Sequence, residues 1–379
     1  MLSMQRSFQA TRAAGLAHLT DIAADLGRTY AAGRNTDGGP DAPSTSMLSP
    51  WLRRRMVLEQ EVVEAALSAH GAQPTEKFVQ EVFWRSYFKG HLETRPWLWA
   101  DYRRLVADGQ HQLGLDRGLR RRFEDAVAGR TGIDGFDDWA RELTETNWLH
   151  NHTRMWFASI WIFTLELPWA LGADFFMRNL VDGDPASNTL SWRWVAGLHT
   201  AGKPYAARAE NIRRYTDGRY DPVGLNEEPE PLQEQEGRAA ITLPPSDQPP
   251  SGEVALLLHL DDLHPESLLL GNARVMRVGG MLAHADGATE RVQQFDRAAM
   301  ADALARAGAH FGCPAAPVQD GWADTLPVAA AWSPVGPSAA ILPPCRRIRR
   351  EWDSNAWPLA TRGYFKLRTA IPDLLREQA

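Results

Sequence analysis

The 379-residue sequence predicts a mainly α protein: an all-helical domain over residues 1–225, an acidic Pro-rich linker over 226–252, and a small α/β domain over 253–379. Three observations predict it. Helical periodicity, with helix starts marked by a capping residue and then proline, dominates up to Pro222. The stretch NEEPEPLQEQEGRAAITLPPSDQPPSG then holds six prolines, six acids and one arginine, a composition for extended chain rather than a regular element. After it, the continuous apolar run EVALLLHL has the character of a strand buried in a parallel sheet, and a helical pattern follows.

Taken in order, Ser49 and Pro50 read as N-cap and first residue of a helix running through WLRRRMVLEQEVVEAALSA. Thr75 to Leu92 is a second helix, with Glu81, Trp84, Arg85 and Phe88 on one face. Arg117 to Ala128 and Phe136 to Thr144 are shorter helices. Asn147 to Leu167 is read as one long helix ended by Pro168. Asp184-Pro185 repeats the cap-then-Pro signal and opens a helix through Trp194. In the last third, Glu253 to Leu260 and Ala273 to Leu282 read as strands, Arg291 to Phe311 as a helix, and Ala339 to Leu342 as a short strand.

Composition limits the function classes. The chain is 44% hydrophobic and 23% charged, enough apolar material for a real core. Its net charge of −6 argues against an electrostatic nucleic-acid binder, although the residues up to Pro222 balance at 27 basic and 27 acidic, so a local basic face is compatible with it. Two cysteines, Cys313 and Cys345, are too few for a disulfide framework or a cysteine-rich metal site. The opening MLSMQRSFQATRAAG has no apolar core of a secretory leader, and no uncharged apolar run reaches membrane-spanning length, so a cytoplasmic protein with no membrane partner is expected. Fifteen tryptophans, against 13 Phe and 7 Tyr, suit a flat aromatic ligand, electron movement, or an indole-rich core.

Three constellations carry chemistry. Asp184, Asn188 and Trp192 recur every four residues on one helix face; an acid, an amide and an indole make a poor core stripe but suit a polar flat ring, and Asp182 adds a second acid. In NWLHNHTRM, Arg154 sits in an otherwise apolar helix and needs an anion, for which Asp182 or Asp184 is available. His150 and His152, two residues apart, point away from each other on a helix, so no metal site is expected. In STSMLSP, hydroxyl groups beside a helix start form an anion cradle, although such residues are commonly only caps.

Together these motifs resemble the photolyase/cryptochrome family. STSMLSPWL resembles its phosphate loop, EVFWRSYF its lesion-side helix, and RTGIDGFDDWARELTETNWLHNHTRM and DFFMRNLVDGDPASNTLSWRWV its flavin-binding segments, in the family's order over roughly Tyr30 to Pro222. The resemblance implies FAD as cofactor, held by Tyr30, Thr45, Ser46, Leu48, Ser49, Arg85, Arg154, Asp182, Asp184 and Asn188, with Arg154 and Asp182 paired over the flavin. It implies a lesion side of Glu81, Trp84, Asn151, Met155 and Trp194, and electron transfer through Trp169 and Trp192. The outer member of that relay falls at Leu105, leaving Trp97, Trp99 or Tyr102 as substitutes.

Two substitutions depart from the family motif: Asn147 stands where it has glycine, and His152 where it has arginine. The family's antenna-type α/β domain precedes its flavin domain, whereas here an α/β (Rossmann-like) segment follows it, and VALLLHLDDLHPESLLL echoes the antenna domain's first strand. His259, Asp261, Asp262 and His264 gather at that strand's end, read as a polar turn in preference to a metal or chromophore site. The implied function is light-dependent repair of cyclobutane pyrimidine dimers in damaged DNA, an enzyme of deoxyribodipyrimidine photo-lyase type. The alternative is a cryptochrome-like blue-light photoreceptor without repair activity. An antenna chromophore or a protein partner is left open.

Overall fold

The computed structural model describes residues 8–39, 44–200, 202–234, 238–361 and 363–377. Residues 1–7, part of the stretch read for a leader, lie outside the described residues. In chain order the helices are α1 (Arg12–Ile22), α2 (Arg28–Gly33), α3 (Ser49–Arg53), α4 (Glu59–His70), α5 (Ala72–Glu93), α6 (Trp97–Leu115), α7 (Arg117–Val127), α8 (Phe136–Thr146), α9 (Asn151–Ser159), α10 (Trp169–Asn179), α11 (Pro185–Val195) and α12 (Ala209–Tyr215). There follow β1 (Ser251–His259), β2 (Asn272–Met281), α13 (Glu290–Phe311), β3 (Ala315–Pro317), β4 (Val328–Ala331), α14 (Pro337–Ile341), β5 (Arg346–Ile348), α15 (Glu351–Ala356) and α16 (Gly363–Glu377). The protein is mainly helical with one small parallel sheet, the fold class read from the sequence.

The chain forms two compact units, each built from separated segments. The first takes Thr29–Met47 and Trp97–Ala239; the second takes Phe8–Arg28, Leu48–Pro96 and the described residues from Ala240 on. This division differs from one made at 225 and 252, because α3, α4 and α5 group with the sheet. Aromatic packing and ion pairs both tie them to it, Phe83 on α5 stacking on Trp352 at 4.7 Å. Arg53, Arg54 and Arg55, consecutive at the end of α3, are all buried and reach Asp261 at 2.6 Å, Asp296, and Asp353 at 2.6 Å respectively. Buried guanidinium groups need such partners, and these lie two to three hundred residues further along the chain. The turn at Arg55 (φ 50°) also ends α3, so the helix expected from Ser49 onward is two helices, α3 and α4. The cap of α3 is Leu48 rather than Ser49.

In the first unit an aromatic core fills the space between helices, with Phe136 stacked on Phe157 at 4.3 Å and Trp192 edge-on to Phe176 at 5.1 Å. Gly172 on α10 makes room for Trp192: a Cβ there would lie 2.4 Å from its ring. The long helix expected from Asn147 begins at Asn151, capped by His150, and widens into a π turn at Ile160–Thr164. Asn147 instead ends α8 in the left-handed conformation (φ 58°), which glycine adopts freely and asparagine tolerates best among the other residues.

The described residues of the acidic stretch before β1 form no helix or strand, as its composition suggests, but they are anchored. Glu234 receives both Arg193 NH groups at 2.8 and 2.6 Å, and Leu232 N donates to Ala196 O. Further on, Ile241 N donates to Thr94 O, and Asp247 exchanges hydrogen bonds with the backbone of Arg347.

In the second unit five parallel strands run in the order β3-β2-β1-β4-β5, with β1 central and buried from Val254 onward. The order is that of a doubly wound sheet. The two strands expected first are present with nearly the expected bounds. Ala339 to Leu342, expected as a strand, falls instead on α14, started by Gly336 and Pro337; a short apolar run does not distinguish strand from buried helix.

Candidate functional site

The expected site residues fall in both units. Tyr30, Thr45, Ser46, Asn151, Arg154, Met155, Trp169, Asp182, Asp184, Asn188, Trp192 and Trp194 lie in the first; Leu48, Ser49, Glu81, Trp84 and Arg85 lie in the second.

In the first unit Arg154, one turn into α9, donates through one terminal nitrogen to both carboxylate oxygens of Asp182 at 2.9 and 3.0 Å. Its Nε donates to Leu149 O at 3.0 Å, fixing the fork. Asp182 is buried and Arg154 half-buried. Asp184 caps α11 by accepting from Ser187 N at 2.8 Å, which is why the acid precedes Pro185. One turn later Asn188 donates to Ala173 O at 2.8 Å, tying α11 to α10 and fixing the amide's orientation. Tyr30 lies on α2, and Ser44 Oγ sits 3.2 Å from His150 Nε2. Thr45 Oγ1 is buried with no hydrogen-bond partner. A hydroxyl so placed fits a phosphate-bearing cofactor, because a buried unsatisfied group otherwise costs about 1–3 kcal/mol.

His152, the substitution for arginine, stacks on Trp156 at 4.2 Å and meets Asn35 O at 2.9 Å and Tyr205 OH at 3.4 Å. Burial lowers its pKa. The site therefore has a weakly basic aromatic ring where the family motif carries a permanent cation. Asn151 is exposed, and Met155 and Trp194 are half-buried, the latter stacked on Tyr205 at 5.4 Å.

The aromatic residues of α6 separate into different roles. Tyr102 is 6.0 Å from Trp169 and 5.1 Å from Trp99, so these rings form a run from α10 to a half-buried position on α6. Trp97 is covered by the Arg238 guanidinium at 5.4 Å. Trp192 neighbours Trp161 at 6.3 Å, a contact the sequence reading did not single out.

In the second unit Leu48 is fully buried, so only its backbone is available to a phosphate. Glu81, Trp84 and Arg85 lie on α5 and are half-buried. Arg85 Nε and one terminal nitrogen are buried without hydrogen-bond partners. The polar group at the end of β1 is structural. Asp261 pairs with Arg53 and accepts from Ser333 Oγ at 3.1 Å; Asp262 receives two bonds from Arg350 at 2.6 and 2.8 Å; His259 Nε2 meets Ala331 O at 2.9 Å. Burial alone would raise both carboxyls, but Arg53 and Arg350 hold them well below the usual carboxylate range. No group of metal-ligating side chains occurs among the described residues, and none of their helices is long and apolar enough to cross a membrane.

Residues 78–224 match the family model for the FAD binding domain of DNA photolyase. A deoxyribodipyrimidine photo-lyase of Streptomyces griseus is 37% identical over 177 residues, 44% of this chain and 36% of that protein. One from Alkalihalophilus pseudofirmus is 30% identical over 171 residues, 44% of this chain and 34% of that one. A bacterial class III photolyase structure from Agrobacterium tumefaciens is 29% identical, covering 54% of this chain and 44% of its own, with a TM-score of 0.44. The chain thus spans about a third of the length of the curated relatives it matches. The similarity of residues 78–224 is thus to an FAD-binding domain of photolyase type, and it covers less than half of this chain. The cofactor of this domain type is FAD.

Proposed function

We propose that the protein is a light-dependent flavoprotein that repairs cyclobutane pyrimidine dimers in damaged DNA. The observation that carries this reading is the Arg154–Asp182 pair immediately before the Asp184-capped helix bearing Asn188 and Trp192, inside a domain of FAD-binding type. In the first unit Thr45 and Ser46, with Tyr30, would be phosphate-binding groups; in the second, the backbone at Leu48 and Ser49, with Arg85, would be phosphate-binding groups too. Arg154 and Asp182 would lie against the ring system, Asp184 would bond its pyrimidine edge, and Asn188 would present an uncharged amide to its central ring. When bound and reduced, FAD supplies an electron on blue-light excitation and takes it back after the cyclobutane ring has opened.

The protein's own part is positioning. In the second unit the Trp84 indole would stack on a splayed base and Glu81 would read a carbonyl edge as an acid donor; in the first, Trp194, Asn151 and Met155 would be lesion-side groups. Trp169 and Trp192 would conduct electrons inward to maintain the reduced cofactor. A second reading, a blue-light receptor without repair, is favoured by His152, which removes a permanent positive charge from the side expected to meet DNA. Blue-light turnover of a dimer-containing oligonucleotide by reduced, FAD-loaded protein tests the choice. Restored thymines support repair; a flavin photocycle with no loss of dimer supports the receptor.

A further inference from the structure

We propose that Tyr364 gates the aromatic face of Trp84, so that a nucleobase stacks there only after displacing the first turn of α16. The inference rests on the repair reading of Trp84. The two rings are centred 3.7 Å apart and inclined by 17°, which is closer and flatter than the ~4.5–7 Å offset usual between aromatic side chains. This is the spacing of a stacked base, and the position is already filled. Tyr364 OH donates to Gln80 O at 2.7 Å, fixing the ring over α5. Glu81, the acid expected to read a base, is near enough for its charge to add to the burial that raises the Tyr364 phenol pKa.

The same helix is built to release this contact locally. Leu367, Ile371 and Leu374 are buried and recur at three- and four-residue intervals, so they anchor the body of α16. Tyr364 continues that stripe into the first turn, where the backbone NH groups have no partner within the helix. Gly363, at φ 59°, occupies a conformation that a side chain would strain, giving the chain a pivot directly before the gate. Phe365 beside it is 71% exposed, so the turn is covered on one side only. Opening one terminal turn breaks the ring stack and one hydrogen bond and leaves the anchoring stripe in place, and such openings lie at the low end of local stability.

The test compares full-length, FAD-loaded wild type with Tyr364→Ala and Tyr364→Phe in the dark. Binding of a thymine-dimer oligonucleotide and of its undamaged counterpart is read by fluorescence anisotropy. Removing the competing ring should tighten dimer binding about 2- to 12-fold, the worth of one aromatic pair, with undamaged DNA unaffected. Tyr364→Phe keeps the ring but loses the bond to Gln80 O, so its dimer binding should lie between that of wild type and that of the alanine variant. Tyr364→Leu preserves apolar contact with α5 and serves if the alanine variant unfolds; it should also bind the dimer more tightly. Equal or weaker dimer binding by the ring-less variants overturns the gate while leaving the repair reading in place. No preference for the dimer in any of the proteins overturns both.

Discussion

Replacing Arg154 by methionine keeps the length and apolar stem of the side chain but removes its charge. Asp182, whose side chain is 4% exposed, then loses both hydrogen bonds it receives from Arg154, and Leu149 O loses a donor. Breaking one side of a fully buried ion pair costs about 3–5 kcal/mol. Arg154 is 23% exposed, so water screens part of the interaction and the loss falls to about 2–3 kcal/mol. If FAD seats against this pair, a loss of that size in cofactor binding weakens affinity roughly 30- to 150-fold. Flavin absorbance after desalting, and calorimetric titration of the apoprotein with FAD, measure it. The double variant Arg154→Met/Asp182→Asn removes the stranded charge and should regain thermal stability without regaining FAD. Full FAD occupancy and an unchanged dissociation constant in Arg154→Met would refute the placement of the pair against the flavin.

Three further outcomes are expected. Trp192→Phe should leave FAD bound but sharply slow its photoreduction with an external reductant under blue light; wild-type rates would show that electrons enter by another route. Gly172→Ala places a methyl against the Trp192 and Trp161 rings and should cost about 1–3 kcal/mol in urea denaturation, whereas an unchanged midpoint would mean that α10 shifts freely. Burial lowers His264 to a pKa of about 4, so the folded state refuses a proton that the unfolded chain accepts near pH 6.5. Its contribution is therefore intact above about pH 6.5, falls by no more than about 3 kcal/mol as the pH drops to about 4, and then levels off. His264→Gln should flatten that part of the stability profile, and an identical slope in both proteins would exclude His264 as its source.

The sequence disclosed what is local. Asp184 before Pro185 announces a cap because the bond it makes lies three residues away, and the buried strand at β1 announces itself by an unbroken apolar run. The polar turn after β1 was also legible as structural, but its partners were not. Nothing near Arg53, Arg54 and Arg55 tells that they pair with Asp261, Asp296 and Asp353, since those acids come from β1's end, α13 and α15. Arg154 and Asp182, only 28 residues apart and bracketing one apolar hairpin, were within reach of charge-pairing logic. Tyr364 was out of reach, because a lone tyrosine in a terminal helix carries no periodic or spacing signal for the ring on α5 that it covers. Asn147 departs from the motif's glycine, and its left-handed backbone at the end of α8 could not be read from that departure.

The interleaving of the two units has a consequence for synthesis. The chain leaves the second unit after Pro96, builds most of the first through Ala239, and only then returns. Arg53 at the end of α3 and Arg54 after it meet Asp261 and Asp296 only after more than half of the remaining chain has been made, whereas Arg55 finds Glu59 four residues on. At ~5–20 residues per second, that is a wait of roughly ten seconds or more for Arg53 and Arg54 without those partners. The first unit, whose aromatic core closes by Leu225, can condense meanwhile. The interleaving also means that a gene cut at the acidic stretch would yield one fragment missing its sheet and another missing the helices that hold its strand ends.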